Sequence, residues 1–213
     1  MRKLPVYLFC DSGVDHFQQM CLYKGLDEWN RLFPEMHVSY FGSRQMWKNE
    51  NGREAWIERN EYSSGDWFTE KSTVIDDKGV AVDAEVALRL LEAEPWQWTD
   101  PHIDLFVTSY RLIIPKHSFY PVVVRDRHAV QSVYQFNNIP DKLDVDLGKL
   151  VWGIKGLLWH ALGHINGLTD HMTDYGCAMY HGRFWNLNAG EMKSNGSIYC
   201  PSCMKKLAIG KLV

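Results

Sequence analysis

Blocks of hydrophobic and polar positions predict alternating strands and helices in the first part of the chain. The apolar run at residues 6–10 predicts a buried strand, and apolar positions then recur with helical spacing over residues 17–33, up to Pro34. Residues 36–41 predict the next strand. A strand, a helix and a strand in this order predict an α/β arrangement with a twisted, partly parallel sheet.

The middle of the chain contains one further helix, three strands and an interruption. Residues 83–94 predict a helix that ends before Pro95, and residues 103–109, 120–125 and 129–136 predict strands. Residues 42–79 are rich in Asn, Glu, Ser and Gly and predict a surface insertion. Its tryptophans either pin the insertion to the body or line a substrate groove, and they are Trp47, Trp56 and Trp67.

A long helix followed by a turn-rich tail is predicted for the last third. Asp144 or Asp146 can cap this helix, whose apolar positions keep helical spacing as far as Ile165. The segment after Gly167 has too few apolar residues to fold without a staple. We predict a single domain over residues 1–213, with an upper part at 1–166 and a lower, stapled part at 167–213.

Composition and charge exclude several classes of partner. The 213 residues carry a formal charge of -3 and are 46% hydrophobic, which suits one sizeable core and gives no overall attraction to nucleic acid or anionic membranes. No apolar window approaches the length of a membrane span. The first apolar run is short and contains Pro5, so we interpret it as a strand and not as a targeting segment. We expect a soluble, cytoplasmic protein.

The five cysteines favour metal binding over disulfides. Cys177, Cys200 and Cys203 crowd into the last fifth of the chain, whereas Cys10 and Cys21 lie on the first strand and helix and are expected to be buried and inert. A C-x-x-C pair also occurs in redox proteins, but there it begins a helix after an early strand, and here it lies in a glycine-rich tail. A zinc-ribbon nucleic-acid binder is disfavoured because no basic cluster flanks the pair.

The string HALGHINGLTDH at residues 160–171 contains the candidate catalytic metal ligands. His160 and His164 are one helical turn apart, so both imidazoles can reach one ion. Because the chain has nine histidines, a pair at this spacing also arises by chance. Gly167 permits a sharp left-handed turn after the helix, and Asp170 and His171 follow in position to return toward the metal.

These residues resemble the metzincins, whose motif is H-E-x-x-H-x-x-G-x-x-H followed by a methionine-bearing turn. Within that clan the chain is most similar to the archaemetzincins, which add a C-x-M turn and a downstream C-x-x-C that bind a second, structural zinc. The resemblance implies a zinc-dependent peptidase with a metzincin-like α/β (α+β) fold, a peptide or protein substrate and two zinc ions. It also makes Met179 the Met-turn residue beneath the catalytic metal.

Two departures from the archaemetzincin pattern concern neighbouring residues. Asp170 occupies the third-ligand position, as in the snapalysin branch, and His171 falls where the archaemetzincins have a cysteine. We therefore assign His160, His164 and Asp170 to the catalytic zinc. The structural zinc is assigned to His171, Cys177, Cys200 and Cys203. One extra residue precedes Cys177, so an exchange of roles between Asp170 and His171 stays open.

The third departure is Ala161, which stands where the metzincins have their general-base glutamate. That glutamate takes a proton from the attacking water and passes it to the leaving amine, and alanine can do neither. We therefore expect metal binding to survive and turnover to fall. Two hypotheses explain Ala161: an engineered, inactivated peptidase, which we favour, or a natural pseudoprotease that acts as a zinc-containing module binding peptides or partners.

Overall fold

The computed structural model describes residues 4–40, 65–94, 97, 101–114, 120–137, 147–180 and 198–209. These residues form a main sheet with helices on both faces and a second, smaller sheet. The strands are β1 (Val6–Cys10), β2 (Val38–Tyr40), β3 (Thr73–Asp76), β4 (Gly79–Asp83), β5 (Ile103–Thr108), β6 (Arg111–Ile113), β7 (Val122–Arg125) and β8 (His128–Ser132). The α-helices are α1 (His16–Leu32), α2 (Gly65–Ser72), α3 (Ala84–Glu92), α4 (Leu147–Ile165) and α5 (Pro201–Ile209).

The main sheet has the strand order β2-β1-β5-β8-β7. Its first four strands are parallel, and β7 pairs antiparallel with β8 at the edge. The mixed α/β sheet predicted from the sequence is therefore confirmed. In the smaller sheet, ordered β3-β4-β6, an antiparallel hairpin is extended by one parallel strand.

Side chains that alternate along β1 and β5 supply two separate cores. One face of the sheet carries Leu8, Leu105 and Val107, and helices α1 and α4 cover it. The other face carries Phe9 and Phe106, which pack with residues of α2 and α3. Cys10 and Cys21 are buried among the apolar residues of the first face, as predicted. Burial raises the pKa of both thiols.

Local signals account for the ends of the first two long helices. Asp15 caps α1 in a reciprocal arrangement with Gln18, and the chain leaves the helix at Phe33, before Pro34. The Asp83 side chain accepts hydrogen bonds from the backbone N–H groups of Glu85 and Val86 and so caps α3. The predicted caps of α4, Asp144 and Asp146, lie outside the described residues.

Residues 65–79 differ from the surface insertion that their composition predicts. They form α2 and most of a hairpin, and Phe68 is fully buried against Phe9 and Phe106, with ring centroids 5.6 and 5.8 Å away. The polar composition hides this packing because one buried aromatic anchors a short helix. Trp67 packs edge-on against Phe68, which fits the pinning role, and Trp47 and Trp56 lie outside the described residues.

The strand predicted at residues 129–136 is too long. Strand β8 ends at Ser132, and a 3-10 turn covers Tyr134–Phe136. The Ser132 hydroxyl accepts the Tyr134 N–H and donates to the Tyr110 carbonyl, so this side chain turns the backbone out of the sheet. Strand β6 and helices α2 and α5 were not predicted, because β6 has only three residues and the two helices carry few apolar residues among polar ones.

None of the described helices is long and apolar enough to cross a lipid bilayer. The division into an upper part at 1–166 and a lower part at 167–213 stays a prediction.

Candidate metal centres

The first candidate centre lies at the carboxyl end of α4 and after the turn that follows. Helix α4 ends in a Schellman motif, in which Leu168 N–H donates to the Gly163 carbonyl and Gly167 N–H donates to the His164 carbonyl. Gly167 has φ +82°, a left-handed conformation that favours glycine. The predicted turn is therefore present, and it leads the chain back toward the two helix histidines.

Three ligand atoms converge at this centre. The Nε2 atoms of His160 and His164 are 3.0 Å apart, and Asp170 Oδ1 lies 3.4 and 3.2 Å from them. Ligands at ordinary zinc distances in a tetrahedral site stand about 3.3 Å from one another. The side chains are 6%, 25% and 35% exposed, in that order, so the group is closed on one side and open on the other.

The hydrogen bonds of the two imidazoles provide a test of whether a cation fits. His160 Nδ1 lies 2.9 Å from the Ala178 carbonyl, and His164 Nδ1 lies 3.0 Å from the Leu168 carbonyl. A carbonyl only accepts, so each Nδ1 is a protonated donor, and in a neutral imidazole the lone pair is then on Nε2, directed inward. Two lone pairs and a carboxylate oxygen that converge at 3.0–3.4 Å repel one another unless a cation lies among them. The donor set suits zinc.

The second candidate centre gathers the residues assigned to a structural zinc. One ligand atom from each of His171, Cys177, Cys200 and Cys203 lies within 4.8 Å of the others. The Sγ atoms of Cys177 and Cys203 are 3.9 Å apart, and Cys200 Sγ is 3.6 Å from His171 Nε2. A three-cysteine, one-histidine set with this spacing fits a closed tetrahedral zinc site.

The surroundings of the thiols also fit a metal. The backbone N–H groups of Met179 and Cys200 donate to Cys177 Sγ at 3.4 and 3.3 Å, as donors do around metal-bound sulfur. Burial nevertheless raises the pKa of Cys177 and of Cys203. Without a cation both thiols keep their protons at neutral pH, so binding of a metal would release protons from this centre.

Asp170 and His171 are divided between the two centres although they are adjacent in sequence. His171 N–H donates to the Met179 carbonyl, and His171 pairs with Tyr180 in an isolated bridge. Neighbouring side chains of extended backbone point to opposite sides, so Asp170 faces the helix histidines and His171 faces the cysteines. This geometry supports the assignment preferred from ligand spacing; metal binding by either residue stays a prediction.

Met179 and Ala161 are both fully buried beside the first centre. A Cβ on Gly163 would lie 2.3 Å from Met179 Sδ. The methionine side chain therefore packs directly on α4 at Gly163, between His160 and His164. Ala161 belongs to the apolar cluster between α4 and the sheet. A glutamate at position 161 therefore has to find room in a covered environment.

Helix α5 begins at Pro201, directly after Cys200, and places Cys203 in its first turn. The sequence predicted a turn-rich, glycine-rich tail around this pair and did not predict the helix, whose start is favoured by Pro201 at the first helical position. The pair's position at a helix start no longer distinguishes a redox site from a zinc site. The convergence of His171 and Cys177 on the same point now favours zinc.

A third group of potential ligands was missed by sequence reasoning. Glu94, His102 and Asp104 are all buried, and their ligand atoms lie within 4.8 Å of one another. The available signal was Asp104, a charged residue inside the otherwise apolar strand IDLFVT, with His102 just before it.

Comparisons with known proteins identify the fold. No protein-family model matches the chain, and no curated protein matches it in sequence. Among solved structures, archaemetzincin from Methanopyrus kandleri superposes with a TM-score of 0.63 at 19% identity, covering 99% of this chain and 96% of that one. The chain has the archaemetzincin fold.

Two further solved structures match nearly the whole chain. A zinc-dependent peptidase from Methanocorpusculum labreanum gives a TM-score of 0.63 at 20% identity, over 95% of this chain and 99% of that one. Archaemetzincin from Archaeoglobus fulgidus, complexed with malonate, gives 0.56 at 15% identity over the same shares. The fold expected from the sequence motif is therefore confirmed.

Proposed function

We propose that this chain is a zinc-dependent peptidase in architecture, and that the alanine at position 161 deprives it of most of its turnover. The observation that carries the proposal is the inward convergence of His160 Nε2, His164 Nε2 and Asp170 Oδ1 at 3.0–3.4 Å, on an archaemetzincin fold. The names of two of the solved relatives, archaemetzincin and zinc-dependent peptidase, support the same class of activity.

Each residue of the first centre has a part in this proposal. His160 and His164 present their Nε2 lone pairs because backbone carbonyls hold their Nδ1 protons, and Asp170 adds a negative charge. When bound, zinc polarises a peptide carbonyl and acidifies an attacking water. The half-exposed side of the centre, at Asp170 and His164, is where a substrate carbonyl would enter. Gly167 and Met179 fix the turn and the packing beneath it.

Strand β7 is the proposed platform for the substrate backbone. It is the edge of the main sheet among the described strands, it pairs antiparallel with β8, and α4 packs against both. An extended peptide can add to such an edge through main-chain hydrogen bonds. All four residues of β7 are half-buried, so their side chains contribute walls and not a fully open surface.

A natural pseudoprotease is the second candidate, and one observation favours it. Ala161 is fully buried in the apolar cluster, a setting adapted to a small side chain and not to a carboxylate. On this proposal the chain binds peptides or a partner through a zinc-containing cleft without cutting them.

Ala161→Glu distinguishes the two candidates, with Ala161→Gln as the control of similar size that cannot act as a base. We expect Ala161→Glu to raise hydrolysis of unstructured peptides by about two to four orders of magnitude, the usual contribution of a positioned acid/base. Chelation should abolish the activity and zinc should restore it, with Ala161→Gln staying at the starting rate. A folded, zinc-loaded Ala161→Glu protein that leaves broad peptide libraries uncut would favour the pseudoprotease.

A further inference from the structure

The buried group of Glu94, His102 and Asp104 lies across the main sheet from both candidate zinc centres. Along β5, Leu105 and Val107 face the core covered by α4, and Phe106 faces the opposite core. Asp104 shares the face of Phe106 because side chains alternate along a strand. The ring of His102 lies 5.1 Å from that of Tyr7. Tyr7 precedes Leu8, which faces the core covered by α4, so the Tyr7 side chain lies on the opposite face of the sheet, as that of Asp104 does.

The ligand atoms of this group are close together and shielded from water. His102 Nε2 is 3.2 Å from Asp104 Oδ2 and 3.5 Å from Glu94 Oε2, and the three side chains are 0–2% exposed. Donors bound to one ion at zinc–nitrogen and zinc–oxygen distances stand about 3.3–3.5 Å apart. A single proton on Nε2 points well at only one carboxylate, whereas a cation between the three atoms contacts both.

The local electrostatics also favour a cation. Two carboxyl groups are buried side by side, and Glu94 follows the carboxyl end of α3, where the helix dipole adds negative potential. His128 cannot neutralise them, because its Nδ1 accepts the Asp104 N–H and the ring is therefore neutral. A protonated His102 supplies one positive charge, whereas a divalent cation supplies two and contacts both carboxyl groups at once.

The group is supported by a second layer of hydrogen bonds. The Gln97 side chain donates from Nε2 to Asp104 Oδ2 at 3.1 Å and accepts the His102 N–H through Oε1 at 3.2 Å. This amide fixes both the carboxylate and the backbone that carries the imidazole. Outer contacts of this kind orient the ligands of metal sites.

We infer that Glu94, His102 and Asp104 form a third metal site, which binds one divalent first-row cation of the zinc type. One imidazole and two carboxylates are a donor set for such ions. The bound ion would join the end of α3 to the start of β5, so its role is structural. The inference does not depend on the peptidase proposal, because none of its residues belongs to the cleft.

Metal counting on the full-length protein tests the site. The protein is stripped with a chelator, reloaded with zinc, passed over a desalting column and measured by elemental mass spectrometry. We expect His102→Gln to retain one ion less per chain than the unmodified protein. His128→Gln is the matched control, because it changes a neighbouring histidine outside the ligand set and should keep the full count. Equal counts for His102→Gln and the unmodified protein would overturn the inference.

Cadmium substitution keeps the test decisive where His102→Gln fails to fold. In the unmodified protein loaded with ¹¹³Cd, the cysteine-rich centre gives a thiolate-shifted resonance, and each nitrogen–oxygen centre gives a resonance well upfield of it. We expect two upfield resonances, of which Asp170→Ala removes one. A single upfield resonance in the unmodified protein, lost in Asp170→Ala, would show that the Glu94 group holds only a proton.

Discussion

The two candidate zinc centres take one ligand each from two adjacent residues, Asp170 and His171, yet they differ in almost every physical respect. The first uses two histidines of one helix and a carboxylate, and it is open on the side of Asp170, which is 35% exposed. The second uses three thiols and one imidazole, with Cys177 and Cys203 buried. Closed sulfur-rich sites are typical of structural zinc, and open nitrogen–oxygen sites are typical of catalytic zinc.

One short segment can therefore contribute ligands to two candidate centres of different character. Two ligands of the first centre, His160 and His164, are positioned by α4 itself, and the Gly167 turn directly after the helix brings Asp170 to them. The ligands of the second come from three separate places, namely His171, Cys177 and the Cys200–Cys203 turn at the start of α5, although neighbours such as Tyr199 and Leu207 join the main core. Loss of metal should therefore empty the first centre without unfolding it, and should loosen the second.

The largest expected effect is that of removing the second centre. Cys200→Ser combined with Cys203→Ser should lower the metal content and reduce the free energy of unfolding by several kcal/mol, about the scale of structural zinc in small domains. Thermal denaturation and limited proteolysis of the tail measure the change. Cys21→Ser is the matched control for loss of a thiol elsewhere. Unchanged melting and an unchanged ion count would remove the distinction between the centres.

The assignment of the adjacent residues gives the next largest effect. Asp170→Ala should remove one zinc ion and leave the melting temperature nearly unchanged, because the imidazoles stay hydrogen-bonded to Ala178 and Leu168. His171→Ala should instead remove the structural ion and lower the melting temperature. Elemental analysis and calorimetry of both variants check this, and an exchange of the two results would reverse the assignment.

A smaller effect is expected where the helix of the first centre meets the Met179 segment. In Gly163→Ala the new Cβ would stand 2.3 Å from Met179 Sδ and 3.1 Å from the Tyr199 hydroxyl. Overpacking a buried site costs about 1–3 kcal/mol, and the gain in helix propensity of about 1 kcal/mol offsets part of it. We expect a net destabilisation of about 1 kcal/mol in urea titration. Gly148→Ala, at an exposed position of the same helix, should not destabilise.

The smallest effect is expected at Asp76, a carboxylate of the smaller sheet. It separates the effect of acid on stability from the effect of metal loss. The bidentate hydrogen bond from Arg111 holds the pKa of Asp76 below its ordinary value. A lowered folded-state pKa stabilises the fold above the unfolded-state pKa of about 3.9, and that stability is lost as the pH falls below it.

Asp76→Asn should therefore slightly lower stability at neutral pH and flatten its dependence on pH below about pH 4. The effect should shrink with added salt because the carboxylate is 28% exposed. Denaturation of chelated protein from pH 3 to 7 measures it without interference from zinc. If the stability of Asp76→Asn falls as steeply at acid pH as that of the unmodified protein, the pair of Asp76 and Arg111 contributes nothing to stability.

The sequence by itself determined the elements whose signals are local. The apolar run of β1, the period and caps of α1 and α3, and the histidine spacing on α4 all depend on neighbours within a few residues, and the structure has them in place. The motif from His160 to Cys203 also led to the correct fold, through its resemblance to the archaemetzincins.

Only the tertiary structure decided which distant residues meet. Ligand spacing favoured Asp170 over His171 but left an exchange of roles open, and the backbone pairing of His171 with Met179 and Tyr180 turns the two side chains to opposite sides. The grouping of Glu94 with His102 and Asp104 depends on where α3 ends beside β5, and the burial of Phe68 depends on a core built from β1 and β5. The contacts of Phe68 join segments far apart in the chain, and those of Glu94 and of His171 depend on how successive segments pack, so no hydrophobic period predicts either.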